Sequence, residues 1–67
     1  MDLEALLYTD EAARLARVTA DRIRRWSSSY PETMPVRSRD LRGRPKYRAG
    51  DVLYVERATR NGARLTA

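Results

Sequence analysis

Apolar positions recur at helical spacing in three stretches of the chain. Thr9-Asp10-Glu11 precedes an alanine-rich run in which Ala12, Leu15 and Ala16 form a short stripe, with Ala13 beside it. Thr9 can cap this helix, Asp10 and Glu11 sit where the helix dipole favours acids, and Leu6 or Tyr8 can staple its start. The spacing predicts a helix over 10–16. Arg17-Val18-Thr19 interrupts it, with Val18 as the anchor of the gap. Thr19 is a second cap candidate, Asp21 falls in the next first turn, and Ile23 and Trp26 make the buried stripe of a second helix over 20–28. Two short helices joined so tightly match a helix-turn-helix unit.

Ser27-Ser28-Ser29 frays the second helix, and Pro31 and Pro35 then impose a loop over 30–35. Val36-Arg37-Ser38-Arg39 is compatible with a short strand, Asp40-Leu41-Arg42-Gly43 reads as a turn, and Arg44-Pro45-Lys46-Tyr47 reads as a return strand. Pro45 confines that strand to an edge or a strand start. A third helix is predicted from Ala49, with Val52, Val55 and Ala58 inward, Leu53 and Thr59 adjacent, and Asn61-Gly62 as its stop. The expected fold is one domain over 1–67, mainly α with a small two-stranded β hairpin, with residues 1–6 and 63–67 loose. Its core is centred on Ile23 and Trp26, joined by Tyr47.

Composition narrows the chemistry. The 67 residues include 14 Lys plus Arg, 9 Asp plus Glu, no His and no Cys, for a net charge of +5. Without Cys or His there is no disulfide, no thiolate metal site and no imidazole base, and the serines at 27–29 have nothing to activate them. No catalytic residue, metal ligand or cofactor site is therefore expected. The longest apolar run, Ala5 to Tyr8, is far short of the about 20 residues that span a bilayer. Asp2 and Glu4 stand where a signal peptide would carry positive charge, which argues against one.

The charge is zoned. Residues 1–13 carry four acids and no base, a sum of −4. Residues 14–67 carry all 14 bases and five acids, a sum of +9. Thirteen of the bases are Arg, whose planar fork fits phosphates and guanine edges, although a GC-rich genome also favours Arg codons. With Ile23 and Trp26 inward, Asp21, Arg24, Arg25 and Ser28 point most nearly outward, with Arg22 and Ala20 on the flanks. Arginines on the outside of a short helix suit the major groove, and Thr19 at the helix start suits a phosphate. The alternative is a solvated arginine face with Thr19 as a cap alone.

Arg42-Gly43-Arg44-Pro45-Lys46 is the second basic signal. Glycine permits close approach of backbone, and arginines suit the narrow, negative minor groove. The string also matches the core of an AT-hook, but Tyr47 and a helix follow at once, so a hairpin tip is the better context. A solvated turn is the remaining reading.

The order helix, tight turn, helix, proline loop, basic hairpin, helix resembles the winged helix-turn-helix of the MerR superfamily. Phage excisionases and AlpA-like regulators are the members nearest in size. The residues that carry the likeness are Tyr8 to Leu15, Val18 to Trp26, Met34-Pro35-Val36, and Arg44-Pro45-Lys46-Tyr47 followed by Asp51-Val52. Small terminase subunits begin with a similar domain, including a Trp like Trp26 and a Met-Pro-Val like residues 34–36.

The resemblance implies that the second helix enters the major groove and the wing meets the adjacent minor groove or backbone. It assigns DNA contact to Thr19, Arg22, Arg24 and Arg25, and to Arg39, Arg42, Arg44 and Lys46. It implies double-stranded DNA as partner, further copies bound head-to-tail on direct repeats, an integrase, and a place in the bacterial cytoplasm on the nucleoid. The short chain is expected to do without the long dimerising helix of larger MerR regulators and the assembly regions of terminases. A small transcriptional regulator of the same fold, or the DNA-binding domain of a small terminase-like protein, is the alternative role, and a protein-binding module using the acidic first 13 residues is a third.

Overall fold

In the computed structural model, which describes residues 1–60 and Gly62, six elements follow one another. They are β1 (Leu6–Tyr8), α1 (Thr9–Ala16), α2 (Ala20–Ser29), β2 (Ser38–Arg39), β3 (Pro45–Arg48) and α3 (Ala49–Arg60). The strands form a three-stranded antiparallel sheet in the order β1-β3-β2. The looseness expected of 63–67, and the part of Asn61 in the helix stop, lie outside the described residues.

The three helices start and stop close to where the apolar spacing puts them. The sheet is larger than the hairpin expected from the sequence. Leu6, Leu7 and Tyr8 pair with Arg48, Tyr47 and Lys46, so the hairpin has a third strand on its other edge. Residues 1–6 are correspondingly not all loose. Ala5 O accepts from Ala49 N and Leu3 O from Gly50 N, both at 2.9 Å, and Glu4 holds Arg48. The physical reason is the free edge of β3: its backbone groups need partners, and three residues from the N-terminus supply them. Alternation over three residues is too short to announce a strand.

The same strand alters the start of α1. β1 runs directly into the helix, so the cap position falls on Tyr8, in extended conformation, and Thr9 is the first helical residue. Tyr8 N donates to Glu11 Oε1 at 2.9 Å, the back-bond of a capping box. Arg17 then ends α1 in the left-handed region at φ 58°, with Val18 N reaching back to Ala13 O at 3.0 Å. Thr19 opens α2 as its cap, with Oγ1 accepting from Arg22 N at 3.1 Å.

The core gathers Ala12, Ala13 and Ala16 of α1, Ile23 and Trp26 of α2, Tyr47 of β3 and Val52 and Val55 of α3. Small residues on α1 let the other elements pack closely around it. Met34, within the proline loop, is fully buried in the same cluster, which its loop setting did not announce. Its N–H donates to Tyr30 O at 2.8 Å, folding the loop back beneath α2. Alternation along the sheet sends Leu7 and Tyr47 to the core, leaving Leu6, Tyr8, Lys46 and Arg48 on the outer face.

Candidate nucleic-acid interface

On α2, burial of Ile23 and Trp26 turns Asp21, Arg22, Arg24 and Arg25 to solvent. Arg25 Nη2 lies 3.2 Å from Asp21 Oδ2, with the two side chains 71% and 73% exposed. An ion pair that open costs less than about 1 kcal/mol to break, so Arg25 remains available to a stronger partner. Arg22 and Arg24 have no carboxylate partner among the described residues. Thr19 uses one lone pair for its cap and keeps its hydroxyl proton free to donate.

The hairpin turn is organised by one carboxylate. Asp40 Oδ1 accepts from Arg42 N at 2.8 Å and Arg44 N at 2.9 Å, and Oδ2 accepts from Tyr8 Oη at 3.1 Å. Gly43 N closes the turn on Asp40 O at 3.0 Å, and Gly43 adopts φ +80°, where a side chain would be strained. Hydrogen bonding from the Arg44 N–H above all, then from the Arg42 N–H and the Tyr8 hydroxyl, holds the Asp40 carboxyl below its ordinary range. Arg39 Nη1 reaches across to Gly43 O at 2.7 Å, which fixes its direction while leaving most of its fork free. Arg44 and Lys46 flank the Tyr8 ring, at 4.6 Å and 4.8 Å from its centroid. Neither these two nor Arg42 has a carboxylate partner among the described residues.

The two basic elements meet at a cleft of about 410 Å³ lined by Tyr8, Thr9, Arg24, Arg44 and Pro45. Arg24 comes from α2 and Arg44 from the turn just before β3, and Tyr8 lines the same cavity with the Arg44 guanidinium over its ring. Of the eight residues singled out by the sequence, Arg24 and Arg44 therefore share one cavity. Arg22 lines a separate groove with Val18, Trp26 and Arg60. Arg39 and Arg42 sit at the turn beyond the cleft.

Tyr8 and Asp40 are the residues that sequence reasoning left without a site role. An aspartate three residues before a glycine is a visible turn signal, but its bond to Tyr8 requires β1, which the sequence does not announce. Two further bases near the hairpin, Arg37 and Arg48, do different work. Arg37 Nε meets Asp51 Oδ2 at 2.9 Å, while Arg48 bridges Asp51 Oδ1 at 3.0 Å and Glu4 Oε1 at 2.7 Å. Asp51, 8% exposed, thus ties α3 to β3 and to the segment just before β2, while Arg48 ties β3 to the N-terminal segment. The Arg48 hydrogen bond holds the Glu4 carboxyl below its ordinary range.

Among the described residues no cluster of three or more acidic side chains is placed to hold a metal ion, and no helix is long and apolar enough to cross a membrane. The cations left without acidic partners are the chemistry this surface offers, and they suit a polyanion. No family model, curated protein or solved structure matches the chain.

Proposed function

We propose that the protein is a winged helix-turn-helix DNA-binding protein, with α2 in the major groove and the β2–β3 hairpin as a wing on the adjacent minor groove or backbone. The observation that carries this reading is the cleft that Arg24 of α2 and Arg44 of the hairpin line together, with Arg44 over the Tyr8 ring. A helix and a hairpin with unpaired cations on a shared cavity suit a surface that follows a duplex from one groove to the next. Arg22, Arg24 and Arg25 are the candidates for base edges. Thr19, Arg39, Arg42, Arg44 and Lys46 are the candidates for phosphates and the minor groove.

Within that reading, the resemblance to excisionases favours a recombination directionality factor acting in the bacterial cytoplasm. It would bind repeated sites beside an attachment site, bend them, and help an integrase excise the element. One unit of this size offers few base contacts, so occupancy rises when copies bind head-to-tail on direct repeats. A small regulator of transcription shares every structural feature invoked; an integrase gene beside this one and a gain of excision with that integrase support the first role, and control of a promoter bearing its sites supports the second.

Selection of duplexes from a randomised pool tests DNA binding itself. Recovery of a consensus supports the reading, and failure to retain any duplex at low salt refutes it. Arg24→Ala with Arg25→Ala then tests base readout. The expected result is a greater loss on the selected site than on unrelated duplex, by about 1–3 kcal/mol per base contact. Equal loss on both sequences removes base readout from these two residues.

A further inference from the structure

We infer that Leu41 is an apolar wedge that enters a base-pair step in the minor groove and unstacks it when the hairpin engages DNA. The inference rests on the DNA-binding reading and adds a residue that charge and motif do not single out.

Leu41 is 107% exposed, more than any other large apolar side chain described. Leu3 and Tyr54, also exposed, at least share the lining of one groove on α3. Leu41 instead stands at the extremity of the β2–β3 turn, where polar residues are the usual occupants. The turn that presents it is firmly held. Asp40 takes both N–H groups at 42 and 44 and the Tyr8 hydroxyl, Gly43 N closes on Asp40 O, and Arg39 spans to Gly43 O. A side chain on so constrained a tip enters a partner with little further loss of backbone freedom.

Its neighbours define that partner. Arg39, Arg42 and Arg44 surround the same turn, so any surface that receives Leu41 also receives three guanidinium groups. An apolar pocket on a protein would have to be ringed by acids to accept them. The minor groove places phosphates on both sides of stacked, largely apolar bases, and inserted leucines are a known means of kinking it. The unstacking cost falls most lightly on flexible pyrimidine–purine steps, so the wedge also gives the hairpin a preference for such a step without a hydrogen bond to any base.

The test uses the whole protein and a duplex recovered from the randomised pool, with 2-aminopurine placed in turn at each base step. Wild-type protein is expected to raise the fluorescence sharply at one step under the hairpin. Leu41→Ala and Leu41→Gln are expected to abolish the rise, reduce the bend read by end-to-end energy transfer, and weaken binding about tenfold, as burial of a leucine implies. Their salt dependence should stay unchanged because no charge is removed. An unchanged melting temperature shows that both variants fold. Fluorescence that rises equally with Leu41→Ala, or that never rises with wild type, overturns the wedge while leaving DNA binding intact. A pool that yields no bound duplex overturns the DNA-binding reading itself, and the wedge with it.

Discussion

Removing two cations from the hairpin gives the most direct measure of how the surface is used. Arg42→Ala with Arg44→Ala deletes two side chains that have no carboxylate partner, while Arg42 N and Arg44 N stay bonded to Asp40. Arg44 also covers the Tyr8 ring at 4.6 Å, but Lys46 remains at 4.8 Å on the same ring. The loss to folding is then about 0.5–1 kcal/mol, the usual worth of an exposed cation over an aromatic face. Arg39, Arg42, Arg44 and Lys46 are the charged candidates for phosphate, and none has an acidic partner among the described residues. If each neutralises one phosphate, log K falls with log salt at a slope of about −3.6, and affinity drops about a hundredfold between about 50 and 200 mM. The double variant should show a slope of about −1.8 and a drop of about tenfold over the same range. Fluorescence anisotropy of an end-labelled duplex across a salt series reads both slopes. Arg57→Ala, on α3 beside Leu3 and Tyr54, is the control and should leave the slope alone. An unchanged slope in the double variant, or an equal change in the control, would refute the assignment of these arginines to phosphate.

Three further predictions concern the fold that presents them. Ile23→Ala should remove about 2–5 kcal/mol of stability and Ile23→Val about 1 kcal/mol, read by urea denaturation, because Ile23 is fully buried between helices; a smaller loss for alanine would mean that the core collapses around the gap. Arg17→Gly should raise the melting temperature, by about 0.5–1 kcal/mol in stability, since Arg17 holds φ 58° at the end of α1; a loss would show that its side chain contributes more than its backbone costs. Glu4 and Asp40 both have carboxyls held below their ordinary values of 4.5 and 3.8 in the folded protein. Their contribution is therefore present at neutral pH and is lost as pH falls through the folded-state values, and Glu4→Gln with Asp40→Asn should flatten that acid limb in thermal melts.

What could be read from the chain depended on how far apart the cooperating residues lie. α2 was legible because its evidence is local: a cap at Thr19, an acid at Asp21 and two large apolar residues three apart. The hairpin was legible as a turn between Asp40 and Gly43 for the same reason. β1 was not, because three residues carry no period, and their pairing with Arg48, Tyr47 and Lys46 spans about forty positions. Everything that depends on β1 was hidden with it, including the floor that Tyr8 makes under Arg44 and Lys46 and its bond to Asp40. Met34 was hidden for a different reason. A loop residue enters the core only through the path of the chain on either side, here the Tyr30 carbonyl that captures its N–H.

The acidic start and the basic remainder also stand in a relation that sequence zoning does not convey. Four acids in the first 13 residues look like a separate negative surface. In the fold, Glu4 binds Arg48, Glu11 caps α1 through Tyr8 N, and Asp10 lies 3.7 Å from Arg14. Asp2 accepts from Glu4 N at 2.9 Å, so Asp2, Glu4 and Glu11 are engaged within the protein, while the Asp10–Arg14 pair is about as open as that of Arg25. Two of the five acids within the basic region also brace the sheet. Asp51 holds Arg37 and Arg48, and Asp40 turns inward to backbone N–H groups. Because Asp40 is satisfied by amides and a phenol, it fixes the turn without tying up the guanidinium groups of Arg42 or Arg44 in an ion pair. Among the described residues the arrangement separates arginines that brace the fold from arginines without an acidic partner, and all of the latter but Arg17 and Arg57 lie on α2 and the hairpin. A polyanion could therefore bind there without first breaking the ion pairs that brace the sheet.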